Sequence, residues 1–276
     1  MKKLLMGLGV FVLTMLVSVS TKAQAPPGVG STPLAMDPTL APGYDVATIK
    51  LSGPEQHGRG FNWRGRYLVV TNMTVQDIIT FAYNIHPKQL IGGPAWMSQD
   101  RYDLDILPDH EGQPSLAQVR CIVQKLLADR LGMKSHEEIK ELSAYVLSVG
   151  KTGPRITKSA DDPRSPPGLG GPPGNYTVRN GSMAEFAQLM QGTLDRPVLD
   201  RTNLKGRYDF TLRWTPDDSQ YGGRLQAQSN ADDGAIVYTQ PQLFTAIQEQ
   251  LGLKLEAKRA AVNILVIDKI DRPSAN

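Results

Sequence analysis

The sequence predicts an α+β protein of two related lobes, each with two helices packed on a mixed or mostly antiparallel sheet. Three observations carry that expectation. First, Arg101-Tyr102-Asp103-Leu104-Asp105-Ile106 returns as Arg207-Tyr208-Asp209-Phe210-Thr211-Leu212. Second, each copy has the same neighbours in the same order. Asn72-Met73-Thr74 and Asn180-Gly181-Ser182 lie upstream; Leu131-Gly132-Met133-Lys134 and Leu251-Gly252-Leu253-Lys254 lie downstream. The same order of segments in both halves is the mark of an internal duplication. Third, apolar residues recur at period two around each repeat and at helical spacing between them, which suits helices laid on one side of a sheet.

Taken in order, the chain opens on an export signal at residues 1–23: Lys2 and Lys3, an apolar run from Leu4 to Val19, and Thr21-Lys22-Ala23 as a small-residue cleavage site. The run is short for a membrane span, so the mature chain is expected to begin at Gln24 with no span of its own; retention as an anchor is the alternative. Residues 24–43, rich in Pro, Gly and Ala, read as a flexible leader.

The first lobe is expected over residues 44–151. Tyr44 to Lys50 alternates as a strand, and Phe61 to Thr71 reads as a hairpin with Gly65 at its turn. Thr74, three before Asp77, caps a helix with Val75, Ile78, Ile79, Ala82 and Tyr83 on one face. A loop from Pro87 to Met97 leads into the Arg-Tyr-Asp strand. Ser115 and Gln118 cap the next helix, which turns Leu116, Val119, Val123, Leu126, Leu127 and Leu131 inward and ends at Gly132. Two strands, Met133 to Lys140 and Ala144 to Gly150, close the lobe.

Residues 152–175 carry a dense run of Pro and Gly and read as a linker with no counterpart in the repeat. The second lobe, residues 176–276, repeats the scheme. Ser182 and Glu185 cap a helix bearing Met183, Phe186, Leu189 and Met190. Asp195 to Leu204 answers the first lobe's loop. A helix opened by Pro241 and carrying Leu243, Phe244, Ile247 and Leu251 ends at Gly252, before strands Lys254 to Ala257 and Val262 to Ile270. A polar insertion at about residues 216–240 interrupts it and is expected to be mobile.

Thirty Lys and Arg against 27 Asp and Glu leave a formal charge of +3, with no basic run that would mark a nucleic-acid surface. The one cysteine, Cys121, has no internal partner for a disulfide and is expected to be a small buried helix residue.

Tyr44 to Lys50, Asn72-Met73-Thr74, Gly92-Gly93-Pro94-Ala95-Trp96, Arg101-Tyr102-Asp103, Leu126 to Arg130, Gly206 to Leu212 and Gln250 to Leu255 resemble the soil-associated family of secreted bacterial proteins of unknown function. The likeness covers nearly all of the chain after the leader. It implies export from a bacterial cell. Similar domains occur behind membrane-bound sensor-type metallopeptidases, which implies a sensing or binding role; this chain has no peptidase part. The family supplies no catalytic or binding residues to carry over. A second, fold-level likeness is to the short periplasmic N-terminal domain of secretins and TonB-dependent receptors, on a capped helix after a short strand and the closing Leu-Gly-Leu-Lys segment.

Catalytic patterns are sparse. His57, His86, His110 and His136 are scattered without ligand spacing and are expected at the surface, so no metal or cofactor is predicted. Ser148 and Lys151 fit the letters of a serine–lysine pair but fall at a strand end, where alternation separates them. Gly168-Leu169-Gly170-Gly171 sits among prolines with no helix after it, unlike a phosphate loop. Asp103 and Asp105 share a strand face, yet the second copy has Asp209 and Thr211, which favours a structural role for the repeat. Aromatics in or near unrepeated loops are better recognition candidates: Trp63, Tyr83 and Trp96, with His86; a core role is the alternative for Trp96. The expected function is a non-catalytic, sensing-type binding module of the cell envelope with an envelope protein or small ligand as partner. The alternatives are a hydrolase with a site between the lobes and a self-assembling envelope component.

Overall fold

The computed structural model describes residues 34–56, 58–223 and 239–274. The expected signal segment, most of the leader, His57 and residues 224–238 of the polar insertion lie outside the described residues. The chain divides into two units, Met1–Leu34 and Ala35–Asn276. Every described helix and strand belongs to the second unit.

Five α-helices and twelve strands are described, in three mostly antiparallel sheets. The mixed α+β class is as expected. The first repeat runs β1 (Tyr44–Leu51), β2 (Gly60–Arg64), β3 (Tyr67–Thr74), α1 (Val75–Tyr83), β4 (Leu90–Gly92), α2 (Trp96–Gln99), β5 (Arg101–Pro108), α3 (Leu116–Leu131) and β6 (Lys134–Val149). The second runs β7 (Thr157–Lys158), β8 (Gly168–Gly170), β9 (Asn175–Gly181), α4 (Met183–Gln191), β10 (Val198–Asp200), β11 (Tyr208–Arg213), α5 (Leu243–Leu251) and β12 (Leu253–Lys269).

Sheet order makes the duplication visible. One sheet is β1-β5-β3-β2 and another β7-β11-β9-β8. The Pro- and Gly-rich stretch 152–175 therefore carries the counterparts of β1 and β2, shortened to two and three residues. Its glycines hide the periodic pattern, yet Ile156 and Leu169 still pack against the second core. Part of the leader is also ordered: Met36 is buried, Gly43 N–H donates to both Asp109 carboxylate oxygens, and Gln118 Nε2 donates to Asp37 O.

The two closing strands expected in each half are instead one unbroken strand per half, β6 and β12. β6 and β12 pair antiparallel from Leu253↔Val149 to Ile267↔Ser135. Glu141-Leu142-Ser143 and Lys258-Arg259-Ala260 contain no Gly, Pro or Asn to turn the chain. Each strand crosses from its own half to the other. Met133, just before β6, lies in the first core, while Tyr145 and Leu147 lie in the second. Leu253 and Leu255 lie in the second core, whereas Leu265 and Ile267 lie in the first. Short parallel strands complete the third sheet, β10 against Tyr145–Leu147 and β4 against Leu265–Ile267. Each core thus includes strand residues contributed by the other half.

The helices follow their sequence signals. Thr74, Ser115 and Ser182 each close a capping box with Asp77, Gln118 and Glu185, worth about 1 kcal/mol apiece. Gly132 and Gly252 end α3 and α5 in the left-handed conformation, φ 56° and 63°. Two helix assignments change. Cys121 and Leu116 are exposed, because the buried stripe of α3 is Val119, Ile122, Val123, Leu126, Leu127 and Leu131, and both residues lie off it. Phe244 is 40% exposed, since Leu243, Ile247 and Leu251 already fill the inward row of α5.

Candidate functional site

The repeated Arg-Tyr-Asp strand performs the same local task twice. Asn72 and Asn180 sit at bulges in β3 and β9 with φ of 52° and 50°, a left-handed backbone that asparagine tolerates better than most residues. Asp103 accepts the Asn72 N–H at 2.8 Å, and Asp209 accepts the Asn180 N–H at 2.6 Å. Arg101 Nη1 donates to Asn72 O at 3.0 Å, and Arg207 Nη1 to Asn180 O at 2.6 Å. Tyr102 and Tyr208 are buried. Asp105 pairs instead with Arg64 at 2.9 Å. The repeat fixes the turn that aims each capped helix, and Asp103 and Asp209 are engaged in that work.

The four recognition candidates have separate surroundings. Trp63 lies on the outer strand β2, 37% exposed. Tyr83 is half-buried against the first core. Trp96 packs on the same core, edge-on to Tyr102 with ring centroids 6.5 Å apart and the Arg272 guanidinium 5.7 Å from its ring. His86 is buried, against expectation, because the loop that carries it docks on the opposite half. Its Nε2 lies 3.3 Å from Leu194 O, while Nδ1 accepts from Lys88 N–H at 3.1 Å. Those partners require a neutral ring with the proton on Nε2. Burial holds its pKa below the ordinary histidine value.

Around His86 the halves meet in a polar seam. Lys88 Nζ lies 3.4 Å from Asp195, Arg196 Nε donates to Asp195 at 3.1 Å, and Tyr145 Oη donates to it at 3.2 Å. Gln89 Nε2 donates to Asn263 O at 2.8 Å. Partial burial would raise the Asp195 carboxyl, but the Arg196 hydrogen bond and the Arg196 and Lys88 charges outweigh it and hold the pKa low. Burial and then the Asp195 charge push the Tyr145 hydroxyl up. A carboxylate held ionised and a phenol held protonated are poorly suited to exchanging protons at neutral pH.

From the seam the Arg196 guanidinium reaches over the Tyr145 ring at 5.3 Å, and Tyr145 touches Phe244 with centroids 5.4 Å apart. Phe244 opens a groove of about 230 Å³ between α5 and β12, lined by Phe244, Thr245, Gln248, Glu249, Lys254 and Leu255. Leu255 and Phe244 supply apolar surface. Thr245, Gln248 and Glu249 add hydrogen-bonding groups, and Lys254 adds a charge paired with Glu256 at 2.6 Å. Among the described residues, β12 has no strand neighbour on its outer side beside this groove, since β4 reaches only Leu265–Ile267. Sequence reading passed over it, grouping Phe244 with the other apolar residues of the helix. The available signal was the four-residue spacing of Leu243, Ile247 and Leu251, which sets Phe244 to one side.

Ser148 stands opposite Lys254 within β6–β12, and Lys151 lies beyond the strand end. His136 is half-exposed, with Nδ1 2.9 Å from Asp268 and Nε2 3.0 Å from Glu138. Among the described residues, no group of three His, Cys, Asp or Glu side chains is placed to hold a metal ion, and no helix is long and apolar enough to cross a membrane.

Fold and surroundings define a duplicated α+β protein whose two halves exchange a long strand. Residues 76–270 match the family described as "Protein of unknown function (DUF3738)". The chain belongs to that family. No match was found among curated proteins or among solved structures.

Proposed function

We propose that the mature chain is an exported, non-catalytic binding module of the cell envelope, and that it takes an envelope protein or small ligand in the groove between α5 and β12. The groove is the observation that carries this reading. It joins a half-exposed aromatic ring, an apolar floor and several hydrogen-bonding side chains, the mixture that recognition sites use. The hydrolase alternative draws no support from the seam, where Asp195 is engaged by Lys88, Arg196 and Tyr145. The export expectation rests on Lys2, Lys3 and the apolar run that follows them.

The test is a thermal-shift screen of residues 24–276 against peptides, glycans and cell-wall fragments. A compound that binds only the folded state raises Tm by mass action. The reading expects a reproducible shift that Phe244→Ala removes while the variant's own Tm stays close to that of the parent. A shift kept in Phe244→Ala would place the site elsewhere. Absence of a shift with every class would count against small-ligand binding and leave protein partners to a pull-down with the same variant.

A further inference from the structure

Residues 134–143 of β6 pair with β12 along one side only. β10 flanks β6 at Tyr145–Leu147, and among the described residues no strand flanks the stretch before it. The direction in which this edge faces follows from β10. Tyr145 N–H donates to Pro197 O at 2.8 Å, and Leu147 O accepts from Arg201 N–H at 2.8 Å. The register with β12 runs unshifted from Ser135 to Val149. Strand alternation therefore turns the N–H and C=O of residues 135, 137, 139, 141 and 143 outward. Ile139 sits at the centre of that row with 74% of its surface exposed.

We propose that this edge is a self-association surface: it pairs antiparallel with the same edge of a second copy of the chain, about a two-fold axis at Ile139. An isologous pair must set one residue against itself. An axis at Glu137, Glu138, Lys140 or Glu141 would oppose a charge to its own copy, which is destabilising. Ile139 is the one residue from 137 to 141 without a charge. With the axis there, Ile139 packs on Ile139, and Lys140 faces Glu138 of the second copy twice over. Glu137 then faces Glu141 of the second copy. The Arg259 guanidinium lies beside Glu141, with Nη2 donating to its carbonyl at 3.2 Å and Nε 3.9 Å from its carboxylate. The pairing also fits the length available. Lys134 of the second copy falls opposite Ala144, one residue short of the position β10 occupies. The two Lys140–Glu138 pairs favour a second copy over a partner of single sign, the Glu137–Glu141 contacts being offset by the Arg259 guanidinium beside Glu141. The inference is independent of the groove, which adjoins the other long strand.

Light scattering and sedimentation of residues 24–276 test it. The expected result is a dimer whose dissociation constant rises roughly ten-fold or more in Lys140→Glu, because two attractive pairs become repulsive. The charge-swapped Glu138→Lys/Lys140→Glu protein restores the dimer. Ile139→Cys in a Cys121→Ser background forms an intermolecular disulfide, since hydrogen-bonded strand pairs hold Cα atoms about 5.5 Å apart. All these side chains are exposed, so circular dichroism should match the parent; Glu138→Lys also removes the His136 hydrogen bond, so Tm is compared at alkaline pH, where that ring is neutral. A protein that is monomeric at every concentration overturns the proposal. So does a dimer indifferent to Lys140→Glu, or a charge swap that stays monomeric.

Discussion

The Asp103 carboxylate accepts the backbone N–H of Asn72, a residue held at φ 52°, and Asp209 does the same for Asn180. The repeated motif, for which the sequence favoured a structural role over a carboxylate pair, is a backbone clamp, present once per half.

Removing the clamp should weaken folding more than binding. Asp103→Ala leaves a part-buried N–H without its acceptor, for a loss of about 1–3 kcal/mol. Asp103→Asn keeps an acceptor oxygen and should lose less. Asn72→Val should be worse than Asn72→Gly, because a β-branched residue is strained at positive φ. Urea denaturation measures all four. A binding defect in Asp103→Ala without a loss of stability would contradict the structural role.

The two helix-ending glycines should respond unequally. A Cβ on Gly252 would lie 2.0 Å from Gly153 O, a backbone atom with little room to yield. On Gly132 the nearest obstacle is the Asp271 carboxylate at 2.8 Å, the far end of a side chain. Both substitutions carry the left-handed penalty of about 1–2 kcal/mol, so Gly252→Ala should be the more destabilising by urea titration. Equal losses would mean that the 150–155 segment shifts freely.

The two described histidines with displaced pKa values should act in opposite directions. His86 has its pKa lowered by burial. The unfolded chain binds the proton first, so its contribution is present above about pH 6.5, the unperturbed value, and is lost as pH falls toward the folded pKa. His136 has its pKa raised by the Asp268 and Glu138 hydrogen bonds. Its contribution is present below about pH 6.5 and is lost as pH rises through the folded pKa. Tm against pH should therefore lose its acid-side fall in His86→Gln and its neutral-side fall in His136→Gln. The reverse assignment would refute the buried neutral ring at the seam.

Much of this fold was legible because local signals repeat. The capping pairs Thr74–Asp77 and Ser182–Glu185, the terminal glycines and the Arg-Tyr-Asp strands all have local physical causes. What escaped depends on long-range pairing. β7 and β8 are too short and glycine-rich to show alternation. β6 and β12 change cores midway, and the largely exposed residues there, 141–143 and 258–261, interrupt the apolar alternation and mimic a break between two strands. The seam is less legible still, since His86 and Leu194 are 108 residues apart. Phe244 differs from a core residue only by its angle around α5.

Two long strands shared by both cores should make the halves one cooperative unit. Differential scanning calorimetry of residues 24–276 tests this most directly. The account predicts a single transition whose calorimetric and van't Hoff enthalpies agree. Its midpoint should fall as one peak in Leu147→Ala and in Leu265→Ala, which cut into different cores. Two resolved transitions, each moved by only one of those substitutions, would contradict the exchange of strands.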